Sequence, residues 1–252
     1  MKTNGILTLT TDFSDDIYVG QMKGVIVSIN PEARIIDLTH RIKSFGILEA
    51  AFFISQVCPT FPPGTVHIVV IDPGVGTKRR GIILLTDRHF YIGPDNGIFH
   101  FVKKIENLKK VVEIDMNLFK DACFTFHGRD IFAPVGAYLS SGRKMEEFGK
   151  IVDKDTIVSL SLPEGCIIYI DAFGNIITNI KKEFFYGDKL IIKYGNKKVK
   201  ATFARTFSEV KEGEYVVLRG SSGYLEVDKN KSSAADELAA KTGEKISISR
   251  AS

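Results

Sequence analysis

The pattern of strands and helices changes once along this chain, near Leu160–Cys166, and that change limits the folds open to it. Before it, short apolar runs rich in β-branched residues alternate with stretches of helical spacing. "ILTLTT" (Ile6–Thr11) leads into "SDDIYVGQMKGVIVSIN", where Ile17, Met22 and Val25 recur near the helical period. Ser14 stands where an N-cap is expected, with Asp15 and Asp16 as first-turn acids. "ARIIDLT" is a second strand, "GILEAAFFISQVCPTF" a second helix ending near Pro59, and "TVHIVVID" a third strand, followed by "GIILLTD" and "HFYIGPD". Alternation of this kind predicts an N-terminal α/β domain over residues 1–160, with a largely parallel, Rossmann-like sheet and helices on its faces.

Past the break only short strands remain: "CIIYIDAFG", "NIITNI", "KLIIKYG", "KKVKATFA", "YVVLRG", "YLEV" and "KISISR". Turn signals such as "YGNKK", "KEGE" and "SSG" separate them, and "SAADELAA" is the one helical stretch. Residues 161–252 therefore read as an all-β, barrel-like C-terminal domain. The formal charge is +4, from 34 basic and 30 acidic residues. A near balance with scattered cations gives no expectation of a nucleic-acid partner. Cys58, Cys123 and Cys166 form no CxxC pair, which argues against zinc or a disulfide framework and suits a reducing cytoplasm. No run approaches the ~18 apolar residues of a membrane helix. "MKTNGILTLTTDF" enters a strand pattern without the apolar core of a signal peptide, so a cytoplasmic protein without a membrane partner is expected.

Polar and glycine-rich segments fall at strand ends, where open α/β sheets bind ligands: "TTDFSDD", "DPGVGTKRR", "GPDNG" and "TFHGRD". "DAFGNIITN" and "SSGYLEV" open and nearly close the β region. "DPGVGTKRR" (Asp72–Arg80) has the glycines of a phosphate loop but matches neither GxxxxGK[ST] nor GxGxxG. A strand follows it rather than a helix. Its glycines are thus read as permitting a sharp turn and close backbone approach, with Asp72 offering a carboxylate to a cleft. "TFHGRD" groups His127 with an aromatic, a glycine, an arginine and an acid, although a lone histidine is more often structural than catalytic.

Taken in order, "TLTTDFSDDIYVGQMKG", "IDLTH", "FPPGTVHIVVIDPGVGTKRR", "GPDNG", "FTFHGRDIFAP", "IDAFGNIITNI" and "SSGYLEV" resemble the S-adenosylmethionine hydroxide adenosyltransferase family, the water-using relatives of the fluorinase and chlorinase enzymes. The resemblance implies an N-terminal α/β domain and a C-terminal β-barrel. It also implies a homotrimer whose active sites lie between one subunit's N-terminal domain and its neighbour's C-terminal domain. The implied reaction splits S-adenosylmethionine, as substrate, with water into adenosine and L-methionine, and it needs no cofactor or metal.

Carried over by position, the resemblance implies a catalytic set of Asp72, Arg79 and His127, with Arg79 favoured over Arg80 by its spacing from the acid. It places Asp12 on the ribose hydroxyls, and Phe45 and Phe126 as apolar walls. Asp171 and Ser221 or Ser222 are implied to grip the methionine ammonium and carboxylate, Phe173 to stack on adenine and Asn175 to hydrogen-bond it. Gly128 and Lys231 complete the implied substrate-binding positions. The halogenating relatives carry tyrosines where this chain has Asp72 and His127, and a serine at Gly128. That departure favours water over halide, because a carboxylate repels an anion. A halide-dependent adenosyltransferase and a non-catalytic sensor of S-adenosylmethionine or adenosine are the alternative readings.

Overall fold

The computed structural model describes residues 1–14 and 16–251. The chain divides into two compact units, Met1–Leu160 and Ser161–Ser252. No helix among the described residues is long and apolar enough to cross a membrane.

The first unit is built on a seven-stranded sheet. Its strands are β1 (Ile6–Thr11), β2 (Arg34–Thr39), β3 (Val66–Val70), β4 (Gly81–Thr86), β5 (Phe90–Pro94), β6 (Leu108–Ile114) and β7 (Gly149–Val152), in the order β2-β1-β3-β5-β4-β6-β7. The pairs β1–β2, β1–β3 and β3–β5 are parallel, whereas β4–β5, β4–β6 and β6–β7 are antiparallel. The sheet is therefore mixed, not largely parallel and Rossmann-like as expected. The cause is local. Only Asp87–His89 separate β4 from β5, and so short a connection can close an antiparallel pair but cannot make the long crossover a parallel pair needs.

Helices cover both faces of this sheet. Leu7, Leu9, Ile68 and Val70 point to a cluster with Met22 and Ile26 of helix α1 (Ile17–Ile29) and Ala133 and Ala137 of a later helix. Val69 and Ile71 alternate to the opposite face, against Ala50 and Ile54 of α2 (Ile47–Val57). This period-two alternation is what two-sided burial of a strand requires. The other α-helices of the unit among the described residues are the single turn α3 (Val102–Ile105) and α4 (Ala133–Ser140), which continues from a π-helical turn at Gly128–Phe132. Asp16, not Ser14, caps α1, its carboxylate accepting from Ile17 N–H. Ser14 instead takes a left-handed backbone (φ 56°) and donates its N–H to the carbonyl of His40 at 2.6 Å. Asp15, expected in the first turn, lies outside the described residues.

The second unit is a seven-stranded sheet of order β14-β10-β11-β12-β13-β9-β8. It is formed by β8 (Ile167–Ile170), β9 (Ile176–Thr178), β10 (Lys189–Tyr194), β11 (Lys197–Phe203), β12 (Tyr215–Arg219), β13 (Leu225–Lys229) and β14 (Ile246–Arg250). Only β11–β12 is parallel. A lone antiparallel bridge between Cys166 and Lys245 joins the two ends of the order, so the sheet curls back on itself. Its concave core of Ile167, Leu190, Phe203, Val217 and Val227 is plugged by α5 (Ala234–Leu238) through Ala234 and Leu238.

Candidate active site

Parallel β1 and β3 place the residues just past their carboxyl ends side by side, which brings Asp12 and Asp72 to one rim of the sheet. The loop after β3 turns through Gly74 and Gly76 and returns at Arg79. Gly76 is required there: its φ is +75°, and a β-carbon would fall 2.5 Å from the carbonyl oxygen of Phe124. The Arg79 guanidinium grips Asp72 as a fork, with Nε donating to Oδ1 at 2.9 Å and Nη2 to Oδ2. The same Nη2 lies 2.7 Å from His127 Nδ1. Both side chains of the ion pair are nearly buried, and the guanidinium lies over the Phe132 ring.

This contact defines the histidine. A guanidinium has no acceptor and keeps its charge in proteins, so Nδ1 of His127 must be the acceptor. Neutral His127 therefore carries its proton on Nε2. Burial holds its pKa below the ordinary value, the Arg79 cation acts in the same sense, and Asp72 opposes both. Arg79 Nη1 is buried and has no hydrogen-bond partner among the described residues.

A cavity of about 440 Å³ opens beside this group, lined by Asp12, Phe45, Asp72, Phe126, His127 and Gly128. The first unit thus assembles the expected residues Asp12, Phe45, Asp72, Phe126, His127 and Gly128 around one space, with Arg79 paired to Asp72. Arg80 is engaged elsewhere, with Asp95. Asp12 is pushed above the usual carboxylate range by burial, against the pull of the Phe45 N–H that its Oδ2 accepts at 2.8 Å; Asp72 adds to the rise. That bond holds Phe45 in a left-handed backbone (φ 65°), and the residue is 69% exposed. The gap at Gly128 is narrow: a β-carbon would meet Phe126, Val70 and Met22 at 3.2–3.4 Å. Phe13 and Tyr18 also line the cavity and meet Phe126 edge-on, at 5.8 and 5.2 Å between ring centroids. Neither was singled out from the sequence, because an aromatic at helical spacing reads first as core. Their place in the polar segment "TTDFSDDIY" was the available signal.

In the second unit, Asp171, Phe173, Asn175 and Lys231 line a groove of about 680 Å³ together with Glu226 and Phe207. Asp171 organises the turn between β8 and β9. Its Oδ1 accepts from Phe173 N–H and Asn175 N–H, and Oδ2 from the Asn175 amide, each at 2.9 Å. Phe173 is left 79% exposed. Lys231 is left-handed (φ 57°) and its Nζ faces Glu212 at 3.1 Å. Ser221 and Ser222 sit in the β12–β13 turn and are not among the groove's lining residues; the Ser222 hydroxyl accepts from Tyr224 N–H. Behind Glu226 on β13, Asp228 is fully buried, and neither carboxylate oxygen has a partner among the described residues. Burial, and then the carboxylates of Glu226 and Asp171, push its pKa up to about 8. Among the described residues no group of three or more His, Cys, Asp or Glu is placed to hold a metal.

Comparison with known proteins covers both units. Residues 7–149 match the SAM hydroxide adenosyltransferase N-terminal domain and residues 165–247 the corresponding C-terminal domain. A Methanocaldococcus jannaschii protein named (R)-S-adenosyl-L-methionine hydrolase is 40% identical over 240 residues, 89% of this chain and 88% of that one. A fluorinase of Nocardia brasiliensis matches at 26% identity over 98% of both chains. The crystal structure of an uncharacterized conserved protein from Thermotoga maritima superposes with a TM-score of 0.88 at 35% identity, covering 97% of this chain and all of that one. Matched along both units, at these identities and over nearly its whole length, the chain belongs to the SAM hydroxide adenosyltransferase family.

Proposed function

We propose that the protein hydrolyses S-adenosyl-L-methionine, the (R)-sulfonium epimer named for its archaeal relative, to adenosine and L-methionine. The observation that carries this reading is the buried contact of Asp72, Arg79 and His127 at the wall of a cavity that also holds Asp12. Attack occurs at C5′, opposite the sulfonium. Sulfur departs as a neutral thioether, so the reaction needs no general acid. It needs a water held in line and relieved of a proton.

Asp72 accepts the water's hydrogen bond and is the group positioned to take its proton. His127 is not the first base in this arrangement, since Nδ1 is already occupied by Arg79 and Nε2 carries hydrogen; it orients the water's oxygen by donation. The Arg79 cation, forked on Asp72 and against His127, favours negative charge on the oxygen held by those two residues. Hydroxide and sulfonium neutralise each other on the way to products, so a pocket walled by Phe13, Phe45 and Phe126 favours the transition state over the separated charges.

Asp12 has Oδ1 left for the ribose hydroxyls. The second unit is assigned the rest of the substrate: in its groove Phe173 and Asn175 for adenine and Asp171 for the ammonium, with Lys231 in the same groove, and Ser221 or Ser222 of the β12–β13 turn for the carboxylate. The proposed working unit is a homotrimer in which a neighbouring subunit's second unit supplies these groups. The heavy exposure of Phe45 and Phe173 supports this. Three unpaired cysteines fit a reducing compartment, so the proposed setting is the cytoplasm.

The test is incubation with S-adenosylmethionine, with and without chloride, followed by chromatography. Adenosine and methionine are expected in both arms. A 5′-chloro-adenosine as main product would overturn the assignment.

A further inference from the structure

The "GPDNG" segment, Gly93–Gly97, contributes nothing to the cavity, yet it touches both ends of the loop that does. At the loop's entrance the Asn96 side-chain amide donates to the carbonyl of Ile71, the residue before Asp72, at 2.9 Å. At its exit Asp95 holds Arg80, the residue after Arg79. Arg80 Nε donates to Asp95 Oδ2 at 3.0 Å, Nη2 reaches the same oxygen, and Asp95 N–H donates to the Arg80 carbonyl at 2.9 Å. Between these ends the loop bonds to itself, Val75 N–H to the Asp72 carbonyl at 3.2 Å and Thr77 N–H and hydroxyl to that of Gly74, and it reaches outward through Arg79 to His127.

The clamp is itself rigid. Asp95 has a nearly inaccessible side chain, and its other oxygen accepts Val158 N–H at 2.9 Å. Arg80 goes on to donate to the Thr156 hydroxyl and carbonyl at 3.2 and 2.7 Å. Asn96 Oδ1 accepts from Ile98 N–H. Gly93 lets β5 lie this close to β3, since a β-carbon there would sit 2.3 Å from the Val69 carbonyl oxygen. Every acceptor of Asp95 that the structure shows in use faces protein, so it is no second acid for the substrate.

We propose that Asp95 and Asn96 are positioning residues that set the two ends of the Asp72–Arg79 loop, and through them the contact of Asp72, Arg79 and His127. The inference rests on the proposed roles of those three residues. Releasing either end would let the fork shift against His127 while leaving Asp12, which belongs to the β1 loop, in place. A displacement near 1 Å at reacting groups lowers rates by up to ~10²-fold.

The test uses Asp95→Asn and Asn96→Leu in the full chain, with Arg80→Lys to open the same end should Asp95→Asn fail to fold. Single-turnover rates are expected to fall about 10- to 10²-fold, with adenosine affinity changed less than about 2-fold. In an Asp72→Asn background the same substitutions are expected to add little, because residues acting as a unit are not additive. A readout independent of activity is the His127 titration by NMR in Asp95→Asn. Loss of a negative charge alone would not raise that pKa. Displacement of Arg79 from Nδ1 raises it, which is the expected result. Wild-type turnover in the clamp variants beside an impaired Asp72→Asn, or a His127 pKa that falls or stays, overturns the inference. Asp72→Asn at wild-type turnover would remove the catalytic reading, and this one with it.

Discussion

Asp228→Asn is expected to remove a loss of stability with rising pH that one buried carboxyl of the second unit imposes. Asp228 is fully buried in β13 with both oxygens unpartnered among the described residues, and its pKa is pushed up to about 8 by burial and by Glu226 and Asp171. In the unfolded chain the same group titrates near 3.8. Below that value both states are protonated and the group is neutral to stability. Between about 4 and 8 the folded state keeps a proton that the unfolded state has released, so stability falls as pH rises. One pH unit is worth about 1.4 kcal/mol, so the span from pH 5 to pH 8 amounts to roughly 4 kcal/mol. Asn cannot ionise and fits the same volume. The assay is urea unfolding of wild type and Asp228→Asn at pH 5, 6, 7 and 8, compared at each pH so that other titrating groups cancel. The variant should gain on wild type steadily across the series, by several kcal/mol in all. A difference constant with pH would show that Asp228 is either solvated or already ionised in the fold, and the reasoning would fail.

Loss of Asp72 or His127 to alanine should lower turnover by ~10²–10⁴-fold while the substrate dissociation constant changes little; a proportional loss of affinity, measured by titration beside single-turnover rates, would make them ligands instead. Asp12→Ala should weaken adenosine by about 2–3 kcal/mol through lost charge-assisted hydrogen bonds, and unchanged affinity by calorimetry would remove it from the ribose site. His67, fully buried with Nδ1 2.7 Å from the Thr8 hydroxyl, is held well below its ordinary pKa by burial and by His89. A depressed histidine leaves stability intact above about 6.5 and erodes it as pH falls below, at up to about 1.4 kcal/mol per unit; unfolding midpoints of His67→Gln should fall less than wild type between pH 7 and pH 5.

Much of the candidate site's grouping was legible because its residues stand where strands end, and strand ends are marked by a break from apolar to polar and glycine residues. Asp12 and Asp72 follow β1 and β3 in that manner, and both face the cavity. The partner of each group was less legible. That Arg79 turns to Asp72 while Arg80 turns to Asp95 depends on two carboxylates brought in from opposite sides, and adjacent arginines look alike in sequence. Ser221 and Ser222 form a turn apart from the groove lining, because small polar residues mark turns and ligand sites equally well. In the first unit the strands up to β5 were clear and their directions were not, and β6 and β7 were not anticipated. The three-residue link between β4 and β5 carried the information, but β6, with Lys109 and Lys110 beside Val111 and Val112, gave too weak an alternation to show that the sheet continues antiparallel. Asp228 left no trace at all, since an acid in a strand of alternating pattern reads as a solvent-facing position.

Phe45 sets local stability against the shape of the cavity. A bulky residue with φ of +65° loses about 1–2 kcal/mol relative to glycine, and this residue is too exposed in the single chain to recover that by burial. Selection for thermal robustness alone would therefore drift towards glycine or asparagine here, and would discard an aromatic wall without any warning from the stability of the survivors. A variant library screened by heat and one screened by turnover should part company at this codon first, which makes it a marker of whether a lineage has been kept for its chemistry or only for its fold.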